Sequence, residues 1–185
     1  MEKFWNYIHI NIYLFEKYVS ALITYPIEMM FDLFYKLPII SKGLEKRGVS
    51  RKELKKTTDN VMNNLDYGQN ITIASIQMGG LLVLIEYSLF NFLQAILGRM
   101  LIQYIWEDVV YKLLFVFGSL VIPSIINYYS LWKNDKYLDY FKNFEKESKS
   151  TRIKWSLISI VVIIGILLLL IFSFWLLSVV VYQSY

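Results

Sequence analysis

Between Trp155 and Tyr182 the chain reads WSLISIVVIIGILLLLIFSFWLLSVVVY, a run with no charged residue. As an α-helix this run is about 40 Å long, enough to cross about 30 Å of hydrocarbon with some tilt. An indole and a phenol stand at its two ends, where amphipathic rings favour the membrane interface. Two further runs share this character. Ile71 to Leu97 is interrupted only by Glu86 and a few amides, and Val109 to Trp132 carries Lys112 close enough to its start to snorkel outward. Pro123 in the latter run is tolerated in a span when neighbours satisfy the carbonyl it frees. The pattern predicts an all-α fold, a polytopic α-helical membrane protein with three clear transmembrane helices.

The first forty residues are patterned differently. Glu16, Ser20, Thr24, Glu28 and Asp32 recur every fourth residue through otherwise apolar sequence, a polar stripe that drifts slowly around one side of a helix. Two readings fit: an amphipathic helix lying in the cytoplasmic interface, or a fourth span whose stripe faces a bundle interior or pore. The opening MEKFWNYIHIN lacks the basic, apolar and small-residue regions of a signal peptide.

Further along, SRKELKKTTDNVMNNLDYG opens with Ser50 and Glu53 at capping-box spacing. Leu54, Val61, Met62 and Leu65 then share a helix face, with Gly68 as the expected stop. Tyr137, Phe141 and Phe144 form an aromatic stripe on a second short helix. The organisation read from these elements is an N-terminal amphipathic or spanning helix (1–40), then a basic linker and helix (41–69). The spans are 70–98, 109–132 and 155–182. A short external loop (99–108), a second basic segment (133–154) and an external tail (183–185) complete the chain.

Charge then sets an orientation. Seven basic residues (Lys42, Lys46, Arg47, Arg51, Lys52, Lys55 and Lys56) precede the first clear span, and seven more lie between the second and third. The intervening loop has only Arg99, and the tail has none. This alternation follows the positive-inside rule, so both basic segments are expected in the cytoplasm and the C-terminus outside. Anionic lipid headgroups are natural partners for such segments, and Lys46, Arg47, Arg51, Lys52, Lys55 and Lys56 are candidates for docking lipid or a cytoplasmic protein. Each segment also holds four acidic residues, and nothing in them argues for direct nucleic-acid binding.

Composition narrows the chemistry. Only 18% of the 185 residues are charged, against roughly 25% in ordinary globular domains. With no cysteine and a single histidine, His9, the chain lacks the parts for thiolate or His-based metal sites and for Ser-His-Asp catalysis. No catalytic residue, metal or cofactor is expected. Asn70-Ile71-Thr72 matches a glycosylation sequon but falls at the cytoplasmic mouth of a span. Glu107-Asp108 reads as a solvated helix start.

One residue stands out. Glu86 falls near the middle of the first clear span, where an ionisable side chain is rare and usually functional. It shares a helix face with Ser75 and Gly79, a small-x-x-x-small pair that lets another helix approach closely. In apolar surroundings the neutral acid, a hydrogen-bond donor, is the cheaper form. The face is read as an interhelical or intersubunit contact, a lumen-lining position, or a proton-sensing site.

The soluble segments are too short for a catalytic domain, and three or four spans make a poor lone transporter, so self-association is expected. The leading expectation is a non-enzymatic subunit acting as sensor, effector or scaffold in the bacterial inner membrane, docked to a cytoplasmic protein. Lys outnumbers Arg fifteen to four and Ile occurs 24 times, a bias toward AT-rich codons that suits a bacterial anti-phage defence or accessory system. The alternative is an oligomeric ion channel or membrane-permeabilising pore. A second alternative is an accessory subunit of a respiratory or organellar complex.

Overall fold

A computed structural model describes residues 2–48 and 50–182, so the predicted tail 183–185, and the side chain of Tyr182, lie outside the described part. Among the described residues the chain is helical and has no strand. The helices are α1 (Glu2–Tyr35), α2 (Pro38–Glu45), α3 (Arg51–Asn63), α4 (Gln69–Leu97), α5 (Leu101–Glu107), α6 (Val109–Asn127), α7 (Lys136–Lys146) and α8 (Lys149–Leu177). A π-helical turn, Tyr128–Trp132, and a 3₁₀ turn, Lys133–Asp135, join α6 to α7. Three helical runs in the described residues are long and apolar enough to cross a membrane: Gln69–Leu97, Val109–Lys146 and Lys149–Val181. Helix α1 is not one of them. Only 6% of the apolar window in the α6 run is buried inside the protein. Such a surface is untenable in water and ordinary against lipid.

The chain divides into two compact units, Met1–Ile8 with Ile76–Tyr185, and His9–Ser75. In the first, α4 meets α8 through hydrogen bonds as well as rings. Asn91 Nδ2 donates to Ser173 Oγ at 3.1 Å, in full burial. Gln94 Nε2 donates to Asn91 Oδ1 at 3.4 Å, and Gln94 Oε1 accepts from the Ile102 N–H at 2.9 Å, tying in the start of α5. Phe92 packs on Phe172 and Tyr87 on Phe174, with centroids 6.0 and 5.7 Å apart. Helix α4 stops at Gly98 (φ +61°), whose N–H reaches Ala95 O while Arg99 N–H reaches Gln94 O. That is the Schellman arrangement, and its left-handed residue favours glycine. Asp108 caps α6, accepting from Val110 N–H at 2.7 Å and Tyr111 N–H at 3.2 Å.

Residues 2–8 join this unit at the other ends of the long helices. Trp5 Nε1 donates to Asn127 Oδ1 (3.0 Å), and Asn6 Nδ2 to Ser130 O (2.9 Å). Tyr7 sits edge-on among Phe144, Trp155 and Tyr140, with centroids 5.2, 4.8 and 6.3 Å away. Phe141 and Phe144 are buried, so the aromatic stripe of α7 is its packing face.

In the second unit α1 and α3 run antiparallel as a hairpin. Ser50 accepts the Glu53 N–H at 3.2 Å and the Glu53 carboxylate accepts the Ser50 N–H at 3.0 Å, a complete capping box. Replacing Ser50 by Ala should cost about 1 kcal/mol of local stability, read as roughly fivefold faster amide exchange in the first turn of α3. Unchanged exchange would mean that the cap is dispensable. The far end differs from the sequence expectation. Helix α3 stops at Asn63, not Gly68, because the Asn64 side-chain oxygen accepts from Asp66 N–H (2.7 Å) and Tyr67 N–H (3.2 Å) and turns the backbone aside. Val61 also leaves the expected apolar face and is 53% exposed, while Leu54, Met62 and Leu65 are half-buried.

Candidate functional site

Glu86 lies one turn before Phe90 on α4, and its side chain turns toward α6. It lines a cleft of about 450 Å³ with Tyr87, Phe90, Phe115, Gly118 and Ser119. Phe90 and Phe115, with centroids 5.0 Å apart, close one end of the contact between the two helices. Gly118 and Ser119 present almost no side chain, and this leaves the notch. Both Glu86 oxygens are buried, and neither has a hydrogen-bond partner among the described residues. Lys112, near the start of the neighbouring apolar run, lies over the Trp106 ring, 5.5 Å from its centroid.

The small residues that share the Glu86 face in the helical register serve other neighbours. Ser75 Oγ lies 3.1 Å from His9 Nε2, a contact inside the second unit. Gly79 receives the Asn127 side chain, whose Nδ2 would lie 3.5 Å from an added Cβ. Each is a close approach of the kind small residues permit, but neither belongs to the Glu86 cleft. A drift of one helix face across several turns is enough to separate them.

The two other residue sets read from the sequence, the α1 stripe and the basic residues, meet each other. Glu28 pairs with Lys55 at 3.2 Å and Asp32 with Arg51. Ser20 and Thr24 line a cleft of about 500 Å³ with Lys17, Lys52, Lys56 and Asp59. Thr24 Oγ1 donates to Ser20 O at 2.8 Å. Glu16, earlier on α1, is half-buried. Four residues of the stripe, Ser20, Thr24, Glu28 and Asp32, therefore meet α3 within this unit. All six basic residues are exposed; Arg51 and Lys55 also pair with α1, and no ion pair is seen for Lys46, Arg47, Lys52 or Lys56 among the described residues. These surface pairs are individually weak, near 0–1 kcal/mol each. Their effect is register: opposite charges in step along two antiparallel helices. Beside α1, helix α3 carries Lys52, Glu53 and Lys56 on its surface.

Several buried polar groups carry little sequence signal. His9 is fully buried, and burial lowers its pKa to about 4, so the ring is neutral at physiological pH. Tyr7 donates to Glu147 Oε1 at 3.1 Å; burial, then Glu147 itself, pushes the phenol up to about 12 and keeps it a donor. Asn91, Gln94 and Ser173 are the polar seam of the long helices. Asn or Gln in an apolar run marks them only in hindsight, but a lone His in a membrane chain is a signal that could have been followed. No group of three or more His, Asp or Glu placed to hold a metal ion occurs among the described residues.

No family model, curated protein or solved structure matches the chain.

Proposed function

We propose that the chain is a non-enzymatic integral-membrane scaffold subunit that assembles with further copies through the α4–α6 cleft at Glu86. It would sit in a bacterial inner membrane with its basic segments cytoplasmic, as the seven, one, seven, zero distribution of Lys and Arg supports. The carrying observation is the Glu86 carboxyl group, buried without a hydrogen-bond partner among the described residues in a notch built by Gly118 and Ser119. A polar group in hydrocarbon needs a partner from somewhere, and small residues let a neighbouring helix supply one. The exposed Lys46, Arg47, Lys52 and Lys56 remain available for a cytoplasmic protein in the same assembly.

Counting subunits tests this reading, by photobleaching single full-length molecules in nanodiscs cut from native membranes. Wild type and Glu86→Gln are expected to be multimeric, because the amide keeps a donor. Glu86→Leu should fall to single copies while its own fold persists, since leucine suits an apolar cleft. A wild type found as single copies would sink the proposal. Reconstituted vesicles should stay tight to potassium; a conductance abolished by Glu86→Gln would replace the scaffold with an oligomeric pore.

A further inference from the structure

The hairpin of the second unit is inverted relative to a water-soluble helix pair. Along α1 the residues that meet α3 are mostly polar: Lys17, Ser20 and Thr24 line the cleft between the two helices, and Glu28 and Asp32 pair with Lys55 and Arg51. The residues left outside are apolar: Tyr18, Leu22, Tyr25, Met29 and Phe31 are each more than half exposed. A soluble amphipathic pair does the reverse. Helix α3, by contrast, has no buried residue and shows Lys52, Glu53 and Lys56 on its surface. The hairpin thus has two layers, one oily and one charged, about 8–10 Å apart at ordinary helix packing distance.

We infer that this hairpin lies in the membrane interface, with the outward face of α1 among lipid acyl chains and α3 on the water side against anionic headgroups. The occupant of the apolar face is lipid because of where the hairpin is tied. Helix α3 ends at Asn63, and α4, one of the three long apolar helices, begins at Gln69. The joint is fixed by the Asn70 side chain donating to Asn63 Oδ1 at 2.9 Å and by the Tyr13 hydroxyl donating to Asn63 O at 3.1 Å. The start of a span sits at the edge of the hydrocarbon, so a helix pair anchored there meets the bilayer surface before any soluble partner. Its charge is complementary: Lys42, Lys46, Arg47, Lys52 and Lys56 are exposed around the polar layer, and basic residues near a span favour anionic leaflets. Tyr, Met and Phe on one face with Lys on the other is the composition of an interfacial helix. This inference is independent of the subunit number proposed above.

The chain has no cysteine, so single cysteines report without background. Leu22→Cys, Phe31→Cys and Lys56→Cys replace exposed side chains, and none removes a partner of the Glu28–Lys55 or Asp32–Arg51 pair. Each full-length variant is reconstituted in vesicles of phosphatidylcholine and phosphatidylglycerol and carries a nitroxide. Collisions with dissolved oxygen and with a water-soluble nickel chelate are then compared. Positions 22 and 31 should favour oxygen several-fold, and position 56 should favour the chelate. Chelate access at 22 and 31 equal to that at 56 would overturn the inference. So would shielding of both positions from both reagents. If spin–spin broadening at 22 disappears on dilution with unlabelled chain, that cover is a second copy; if not, it is another segment of the same chain.

Discussion

Acidifying the purified protein from pH 7 toward pH 4 is expected to lower its melting temperature, and His9 is expected to account for most of that drop. His9 is fully buried beside Ser75, and burial depresses its pKa from the ordinary 6.5 to about 4. When α1 detaches from the start of α4, the ring regains its ordinary affinity for a proton. Between the two values the open state therefore binds more protons than the closed one, and stability rises with pH across that window. It is complete above about 6.5 and lost as pH falls toward about 4. At 1.36 kcal/mol per pH unit the ceiling is about 3 kcal/mol. His9→Asn should be less stable at neutral pH but nearly indifferent to pH between 6.5 and 4.5. An equal loss in both proteins would assign the sensitivity elsewhere. Glu53 acts in a different window: the Ser50 N–H and hydroxyl hold its carboxyl below the usual range, so the α3 cap weakens only at lower pH.

The second large effect is expected at Gly68, in the turn that passes from α3 to α4. A Cβ there would run into the Asn64 carbonyl oxygen, with Asn64 N at 2.7 Å and Met62 O at 3.0 Å. All three are backbone atoms, so no side chain can swing aside and the turn itself must open. Overpacking of this kind costs typically 1–3 kcal/mol. The damage should spread to the contacts that converge on Asn63, where Asn70 and Tyr13 hydrogen-bond. Gly68→Ala should therefore expose the α3–α4 joint to limited proteolysis in detergent. Gly80→Ala, within α4 and with open space around the new methyl, is the control. It should be neutral or stabilising by up to about 1 kcal/mol, because Ala is the better helix former. Matching digestion patterns for the two variants would contradict the tight turn.

The three long helices were legible because a membrane span needs many apolar residues in a row, a pattern hard to imitate in a chain this size. The capping box was legible for a similar reason: Ser50 and Glu53 act on their own backbone and need no distant partner. What could not be read was which polar residues meet. The acidic stripe of α1 and the lysines of α3 each present a one-sided charge pattern, and such a pattern looks the same whether its complement lies on another protein or later in the same chain. Glu86 was visible as an anomaly, but its notch depends on Gly118 and Ser119, which neighbour it only through the packing of α4 on α6. Trp5, Asn6 and Tyr7 were missed because in a chain with 17% aromatic residues one more cluster carries no distinction. Gly68 misled because a glycine after a helix usually ends it, while here Asn64 does so first.

The charge-matched hairpin also bears on how the polypeptide is made. Glu28 and Asp32 find Lys55 and Arg51 just beyond the short helix α2, and both partners precede the first long apolar helix, which begins at Gln69. Contacts between segments so close in sequence close quickly. The hairpin is thus ready to settle on the membrane surface while α4 is still being translated. It would deliver that helix to the insertion machinery already held at the bilayer.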